Sequence, residues 1–226
     1  MILSQNLSFS YPGAAALHFA DLDAPQGAVV LLSGPSGCGK STWLALVAGL
    51  VRPAAGTLTV AGQQLEPLSR VASDAWRART IGFLPQKLHL SAALTVEQNL
   101  AMAQWAAQQP HDTPRIHATL AKLGVEALAK RLPAQLSGGQ AQRVALARAV
   151  LLDPKVILAD EPTASLDDEA AHDAVQLLLQ TAHMQGATLV IATHDARVAP
   201  LISTASKVQP GYLSMQLSRP MAPTQP

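Results

Sequence analysis

The chain has 226 residues, a net charge of +1, 49% hydrophobic residues and only 14% charged residues. This length suits one domain or one core with a subdomain, and the net charge gives no indication that nucleic acid is a main partner. No apolar run approaches the roughly 18 residues that cross a bilayer, and the N-terminal residues lack the pattern of a signal peptide.

The first part of the chain predicts mostly strands and turns, because its apolar runs are short and separated by glycine or proline. The run AVVLL at 28–32 is apolar throughout, which is typical of a parallel strand buried on both faces. Up to residue 89, the predicted elements are strands at 1–10, 17–22, 28–32, 57–60 and 81–84 and helices at 41–50 and 69–79.

The middle of the chain, from 95 to 152, predicts almost only helix. Thr95 and Gln98 fit the capping box that begins a helix, and Thr113, which precedes a proline, opens another helix. A helical block at 90–152 therefore interrupts an α/β pattern.

The α/β pattern returns in the last part of the chain. Strands are predicted at 156–159 and 188–192, with a helix at 168–183 between them. The segment 219–226 is rich in proline, so we expect it to be disordered.

The segment GPSGCGKS at 34–41 fits the phosphate-loop pattern G-x-x-x-x-G-K-[ST] and lies between a predicted strand and a predicted helix. Glycines let backbone N–H groups point at phosphate, and the helix N-terminus adds roughly half a positive charge. Lys40 is expected to reach the β- and γ-phosphates, Ser41 to bind Mg²⁺, and Thr42 to donate to phosphate. The candidate ligands are Gly34, Pro35, Ser36, Gly37, Cys38, Gly39, Lys40, Ser41 and Thr42.

Cys38 is the one cysteine of the sequence, so no internal disulfide can form and a reducing compartment is indicated. Its place in the loop allows two interpretations. Either the thiol is merely tolerated there, or the helix N-terminus and Lys40 activate it. Labelling by a thiol reagent that ATP blocks would support the second interpretation.

Polar side chains follow the last two predicted strands. Asp160 and Glu161 end the run VILADE, where Asp160 suits Mg²⁺ and Glu161 suits a general base or a group that orients water. His194 follows the next strand, and ligands bind at this edge of open parallel sheets. We therefore expect His194 to contact the γ-phosphate.

Gln86 and Tyr11 are two further candidates. Gln86 follows the predicted strand 81–84, so its amide is placed to touch Mg²⁺ or the attacking water and to couple the nucleotide to the helical block. Tyr11 precedes a turn, and its ring is suited to stack on adenine.

The segment LSGGQ at 136–140 begins a helix with two glycines in the first turn. Ser137 and Gln140 form a capping box. Each glycine costs about 1 kcal/mol of helix propensity, and this cost is reasonable where a phosphate approaches the backbone. We therefore expect Ser137, Gly138, Gly139 and Gln140 to bind nucleotide.

These segments occur in an order that resembles the ATPase subunits of ABC transporters over nearly the whole chain. The motifs are an aromatic A-loop, Walker A, Q-loop, signature, Walker B with its glutamate, D-loop and switch histidine, at Tyr11, 34–41, Gln86, 136–140, Asp160–Glu161, 164–167 and His194. The resemblance adds Asp167, the last residue of the D-loop ASLD, to the expected nucleotide-binding residues.

The resemblance implies an α/β fold. It consists of a P-loop NTPase (RecA-like) core with a parallel sheet, an N-terminal antiparallel β subdomain and an inserted α-helical subdomain. We expect one domain over 1–218, with the core at 1–89 and 153–218 and the helical subdomain at 90–152.

The resemblance also implies ATP and Mg²⁺ as cofactors and catalytic roles for Glu161, His194 and Gln86. It implies a head-to-tail homodimer in which the signature of one subunit covers ATP on the Walker A loop of the other. Transmembrane permease subunits would follow this closure through a short helix beside the Q-loop. The chain would then lie peripherally on the cytoplasmic side of the cell membrane.

Within the family, residues 81–100 resemble the lipoprotein-release, macrolide-export and cell-division ATPases, whereas ISTASKV at 202–208 departs from the pattern of that subgroup. An ATPase of an amino-acid-type importer is one alternative. A soluble ABC ATPase of DNA repair or translation is another, although those usually need a long coiled-coil insert or two cassettes. A module that binds nucleotide without hydrolysis is a third, against which Glu161 and His194 argue.

Overall fold

Ten strands and seven α-helices make up the described part of the protein, which in this computed structural model is residues 1–164, 166–206 and 212–218. The strands are β1 (Ile2–Phe9), β2 (Leu17–His18), β3 (Leu22–Ala24), β4 (Val29–Ser33), β5 (Ala55–Val60), β6 (Gln63–Gln64), β7 (Ile81–Leu84), β8 (Val156–Asp160), β9 (Thr188–Thr193) and β10 (Tyr212–Gln216). The helices are α1 (Lys40–Val47), α2 (Arg70–Thr80), α3 (Val96–Ala106), α4 (Thr113–Lys122), α5 (Gly138–Val150), α6 (Asp168–Gln185) and α7 (Val198–Ser206).

The N-terminal strands form an antiparallel sheet in which β1 pairs with β2, β3 and β5, and β5 pairs with β6. The single strand predicted at 17–22 is instead two strands. Between them, the backbone N–H of Phe19 donates to the Leu7 carbonyl over 2.9 Å. The Asp21 carboxylate accepts from the Asn6 N–H over 2.6 Å. These contacts bend the chain between β2 and β3.

The second sheet is parallel, with the strand order β10-β4-β9-β8-β7. Its central strands are buried on both faces, as their continuous apolar runs predict. Side chains along β4 alternate between two cores, with Val29 and Leu31 on one face and Val30 and Leu32 on the other. The first core packs the sheet against α3–α7, and the second packs it against α1 and the antiparallel sheet.

Helix α1 ends at Val47, three residues before the predicted end at Leu50. Gly49 has a φ of +63°. Its N–H donates to the Leu46 carbonyl, and the Leu50 N–H donates to the Ala45 carbonyl, both over 2.9 Å. This is the Schellman arrangement, in which a glycine in the left-handed region ends a helix.

The middle of the chain is helical as predicted, in the form of α3, α4 and α5 with single 3₁₀ turns at 126–128 and 133–135. Both predicted capping boxes are present, at Thr95 and Ser137. The boundary of a subdomain at 90–152 stays a prediction, and the disorder expected at 219–226 concerns residues outside the described part. No helix within the described residues has the length and hydropathy to cross a membrane.

Candidate active site

The carboxyl ends of four parallel strands place many of the predicted site residues around one cavity. The phosphate loop follows β4, Gln86 follows β7, Glu161 follows β8 and His194 follows β9. Together with Tyr11 they line a cavity of about 490 Å³. The other lining residues are Ala14, Ala15, Leu17, Ser36, Gly37, Gly39, Lys40, Ser41 and Thr42.

Two glycines shape the phosphate loop for reasons that lie within the chain. A Cβ at Gly34 would lie 2.5 Å from the backbone oxygen of Leu217, which a real Cβ atom could not do. Gly39, the N-cap residue of α1, has a φ of +103°, a conformation that L side chains rarely adopt. The loop therefore turns directly into the N-terminus of α1.

Lys40 is buried at the start of α1 and points back over the loop. Its Nζ donates to the carbonyl oxygens of Gly34 and Pro35 over 2.9 and 3.3 Å. The same Nζ lies 3.4 Å from Oε1 of Glu161. The Lys40 ammonium group therefore lies against the backbone of the phosphate loop. It also lies beside Glu161, which follows β8, and β9 separates β8 from β4 in the sheet.

The Glu161 side chain accepts more hydrogen bonds than that of Asp160, the neighbouring acid. It is only 11% exposed. Its Oε1 accepts from Nδ1 of His194 over 2.8 Å, so this ring nitrogen carries the proton. Its Oε2 accepts from the Thr193 hydroxyl over 2.8 Å and from the His194 N–H over 3.3 Å. The backbone of Glu161 has a φ of +48°, and such strain in a non-glycine residue is typical of functional sites.

The two neighbouring acids have opposite pKa shifts. Burial raises the pKa of Asp160, an effect that the hydrogen bond from Ser41 opposes and the Glu161 carboxylate reinforces. Burial would also raise the pKa of Glu161, but hydrogen bonds from His194 and Thr193 outweigh it and lower this pKa. Glu161 is therefore held as a carboxylate.

Ser41 and Asp160 bring together two oxygen groups that lie 119 positions apart in the sequence. The Ser41 hydroxyl donates to Oδ2 of Asp160 over 2.9 Å. Gln86, which is exposed, lines the same cavity as Ser41. Hydroxyl, carboxylate and amide oxygens are the ligands that Mg²⁺ prefers.

Tyr11 lies at the rim of the cavity, half-exposed. Its hydroxyl is 3.1 Å from the Thr42 hydroxyl. The edge-to-face contact with Phe9, with ring centroids 4.7 Å apart, fixes the ring. The ring is thus anchored at the entrance, and the residue stays 49% exposed.

Cys38 lies in the loop but does not line the cavity. It is 2% exposed and packs among apolar residues that include Trp43. This burial favours the interpretation that the thiol is tolerated rather than reactive.

The signature segment lies outside the cavity that the phosphate loop lines. The Ser137 hydroxyl accepts from the Gln140 N–H over 3.3 Å, and the Gln140 side chain accepts from the Ser137 N–H over 3.0 Å. A Cβ at Gly138 or Gly139 would meet no described atom within 4 Å. Gly138 instead lines a second cavity of about 250 Å³, which Gln86 and Glu161 also line.

Asp167 does not line the cavity with the phosphate loop. Its Oδ1 accepts from the Ala170 N–H over 2.8 Å, so it is the N-cap of α6. Ser165, within the predicted D-loop, lies outside the described residues.

Sequence reasoning missed Thr193, which ends β9, and Asp195 and Arg197, which follow it. All three support the site. Asp195 accepts from the Thr163 hydroxyl over 2.7 Å and pairs with Arg197 over 2.7 Å. The sequence prediction used only the histidine of the segment THD. Thr193 and Asp195 form hydrogen bonds to residues about thirty positions away, which the local pattern does not reveal.

Comparisons of sequence place these features among known proteins. Residues 17–164 match the ABC transporter family. The macrolide export ATP-binding/permease protein MacB of Rhodospirillum rubrum is 39% identical over 91% of this chain, and this chain spans only 32% of that protein. The lipoprotein-releasing system ATP-binding protein LolD of Chromohalobacter salexigens is 38% identical over 86% of this chain and 83% of its own length. LolD of Anaeromyxobacter dehalogenans is 42% identical over 81% of this chain and 78% of its own length.

Solved structures give the same result. The dimeric structure of MJ0796, a bacterial ABC transporter cassette, has a TM-score of 0.79 at 30% identity and covers 96% of this chain and 94% of its own. The dimeric post-hydrolysis state of that cassette, bound to ADP and Pi, has a TM-score of 0.80 at 29% identity, with 96% of both chains covered.

Proposed function

Because the chain belongs to the ABC transporter family and is an ATP-hydrolysing cassette related to LolD and MacB, we propose that Glu161 activates the attacking water. The observation that carries this proposal is the position of its carboxylate, 3.4 Å from Nζ of Lys40 and 2.8 Å from Nδ1 of His194. A carboxylate kept ionised beside a phosphate loop has the charge and the place of a general base.

The reaction breaks one bond and forms one. Water oxygen attacks the γ-phosphorus while the bond from that phosphorus to the β–γ bridging oxygen breaks, which gives ADP and inorganic phosphate. Glu161 takes the proton of the water. In this structure Lys40 and His194 contact Glu161. When ATP is bound, the two side chains contact γ-phosphate oxygens instead. The Tyr11 ring stacks on adenine.

The residues present also fit Mg²⁺. Ser41, Asp160 and Gln86 would hold it, because Ser41 and Gln86 line one cavity and the Ser41 hydroxyl donates to Asp160. Burial raises the pKa of Asp160 in a way that a bound cation would offset. When bound, the ion would neutralise charge on the β- and γ-phosphates.

The substitution Glu161→Gln tests the proposed role. The amide keeps the shape but cannot accept the proton, so we expect kcat to fall by about 10²–10⁴-fold while ATP binding persists. Phosphate release and binding of a fluorescent ATP analogue measure the two effects.

The matched control is Glu169→Gln, on an exposed glutamate in the first turn of α6. This control should keep wild-type turnover. Phosphate release by Glu161→Gln at the wild-type rate would contradict the role assigned to Glu161.

We infer that the active site is completed by the signature segment of a second copy. Gly138 and Gly139 lower the helix propensity of α5 by about 1 kcal/mol each, yet no described atom of the same chain occupies the space beside them. The MJ0796 cassettes are dimeric, which supports the same arrangement here.

Mixing two inactive variants tests this inference. Lys40→Ala should lose phosphate binding, and Gly139→Asp should repel phosphate from the signature. In a mixed head-to-tail dimer, one site carries both changes and the other carries neither, so roughly a quarter of wild-type turnover should return. No recovery would mean that each site is built from one chain.

We further propose that the chain powers a membrane transporter from the cytoplasmic side of the membrane. A groove of about 530 Å³ lies beside the segment that follows Gln86, and Phe83, Leu90 and Met102 line it. Nearby on α3, the indole of Trp105 is 79% exposed. Such an apolar groove fits a short cytoplasmic helix of a permease.

Helix α5 links this groove to the signature. Ser137 caps its N-terminus, and Arg148 near its other end donates to the carbonyls of Leu88 and His89 over 2.7 Å each. One rigid helix thus touches both the proposed dimer interface and the segment beside the groove.

Co-expression with a permease subunit tests the transport role. The double substitution Met102→Ser and Trp105→Ser should abolish sedimentation with membranes and leave basal ATP turnover unchanged. Met184→Ser, on an exposed methionine of α6, is the matched control. Equal sedimentation of all three proteins would contradict docking at this groove.

A further inference from the structure

Arg197 joins two segments that border the active site. Its Nε and Nη2 donate to the two carboxylate oxygens of Asp195 over 2.9 and 2.7 Å. Its Nη1 donates to Oδ1 of Asp168 over 2.6 Å, and the guanidinium also contacts the Leu166 carbonyl at 3.4 Å. Arg197 therefore clamps the loop after β9 to the first residue of α6 and to the segment before it.

A continuous series of hydrogen bonds runs from this clamp to Glu161. The Asp195 N–H donates to the Thr193 hydroxyl over 3.0 Å. The same hydroxyl donates to Oε2 of Glu161 over 2.8 Å. The hydroxyl of Thr193, the last residue of β9, and the backbone N–H of His194, the first residue of the following loop, thus both donate to Oε2 of Glu161.

We propose that Arg197 is a positioning residue for hydrolysis, which fixes the loop after β9 so that the Thr193 hydroxyl and the backbone N–H of His194 orient Glu161. It also couples that orientation to the start of α6, which follows the D-loop. The proposal rests on the role proposed above for Glu161.

The geometry favours positioning over general stabilisation. Arg197 is 40% exposed, and ion pairs at such exposure contribute little to folding. A bidentate contact between guanidinium and carboxylate, by contrast, fixes orientation as well as distance. Asp195 is also fixed by the Thr163 hydroxyl, over 2.7 Å, so the loop is held from both sides.

The experiment compares Arg197→Met and Arg197→Lys with the wild-type chain. Methionine keeps the length without donors, and lysine keeps the charge without the bidentate fork. We expect Arg197→Met to lower kcat by about 10-fold, because small displacements of a catalytic group have effects of this size or larger. KM for ATP should change by less than about twofold, and lysine should restore part of the lost kcat.

Arg115→Met is the matched control. Arg115 also pairs with a carboxylate and a backbone carbonyl, those of Asp153 and Leu151, but it lies in α4, away from the cavity. It should keep the wild-type kcat. If Arg197→Met does not fold, Asp168→Asn breaks the α6 half of the clamp and should lower kcat without raising KM.

An unchanged kcat in Arg197→Met, a rise in KM alone, or an equal fall in kcat for Arg115→Met would overturn the proposal. Glu161→Gln, measured in parallel, separates this failure from failure of the proposed function. Loss of turnover in Glu161→Gln with normal turnover in Arg197→Met would reject only the positioning role.

Discussion

The two glycine-rich segments of this chain differ in what surrounds them. In the phosphate loop, a Cβ at Gly34 would meet the backbone of Leu217 at 2.5 Å. In the signature segment, a Cβ at Gly138 or Gly139 would meet nothing within 4 Å among the described residues. The fold of one chain therefore requires the first glycine, whereas contacts among the described residues do not account for the other two.

The largest effect is expected from Gly34→Ala. The clash with a backbone atom and the φ of +154° should together lower the free energy of unfolding by about 3 kcal/mol, with loss of nucleotide binding. Gly37→Ala is the control, since its Cβ would meet nothing within 4 Å, and it should cost only about 1 kcal/mol. Urea unfolding measures both, and equal losses would remove the distinction between the two glycines.

Gly139→Ala should give the opposite pattern. The added methyl group should raise the free energy of unfolding by about 0.5–1 kcal/mol, because alanine favours helix. Overpacking against phosphate in the dimer should lower turnover by roughly 10- to 100-fold. Urea unfolding and phosphate release test the two halves of the expectation. Normal turnover would show that nothing packs against this residue.

Ser137→Ala removes the cap of α5 and should cost about 1 kcal/mol of unfolding free energy. Thr95→Ala removes the equivalent capping box of α3 and should cost a similar amount. Only Ser137→Ala should also weaken ATP-driven dimerisation. Light scattering measures the dimer when each substitution is combined with Glu161→Gln, which is expected to bind ATP without turning it over. Equal dimerisation of the two variants would mean that the signature serine acts only within its own chain.

The smallest expected effect is on the stability of the protein at acid pH, and it comes from Asp195, the residue after His194. The hydrogen bonds from Arg197, opposed by burial and assisted by Thr163, hold the pKa of Asp195 below its ordinary value. A carboxyl whose pKa is lowered by folding stabilises the protein above its unfolded pKa of about 3.9 and loses that contribution as pH falls further.

Urea unfolding of wild type and Asp195→Asn between neutral pH and about pH 3 tests this direction. The stability advantage of the wild type should be constant down to about pH 4 and should then shrink. An advantage that grows on acidification would contradict the sign of the pKa shift.

Much of the framework could be predicted from local sequence, because its determinants are local. The capping boxes at Thr95 and Ser137 depend on residues three positions apart. The strands β4, β8 and β9 are continuous apolar runs buried on both faces. By contrast, β10 was not predicted, since its place beside β4 depends on pairing with a strand almost two hundred residues away.

The same division holds for the site. Gln86, Glu161 and His194 could be placed together because the carboxyl ends of parallel strands meet at one edge of a sheet. The clamp at Arg197 could not, since it depends on how two loops fold against each other. The end of α1 was wrong by three residues because Gly49 was not recognised as a helix terminator.

The contacts of Glu161 have a consequence for how the protein distinguishes ATP from ADP. Lys40 and His194 already face an anion in this structure, since each contacts Oε1 of Glu161. When a γ-phosphate binds to Lys40 and His194 in place of the Glu161 carboxylate, these two groups exchange one negative partner for another. The net electrostatic gain from the third phosphate is smaller than its charge suggests. We therefore expect discrimination between the two nucleotides to come mainly from the closure of a second subunit proposed above.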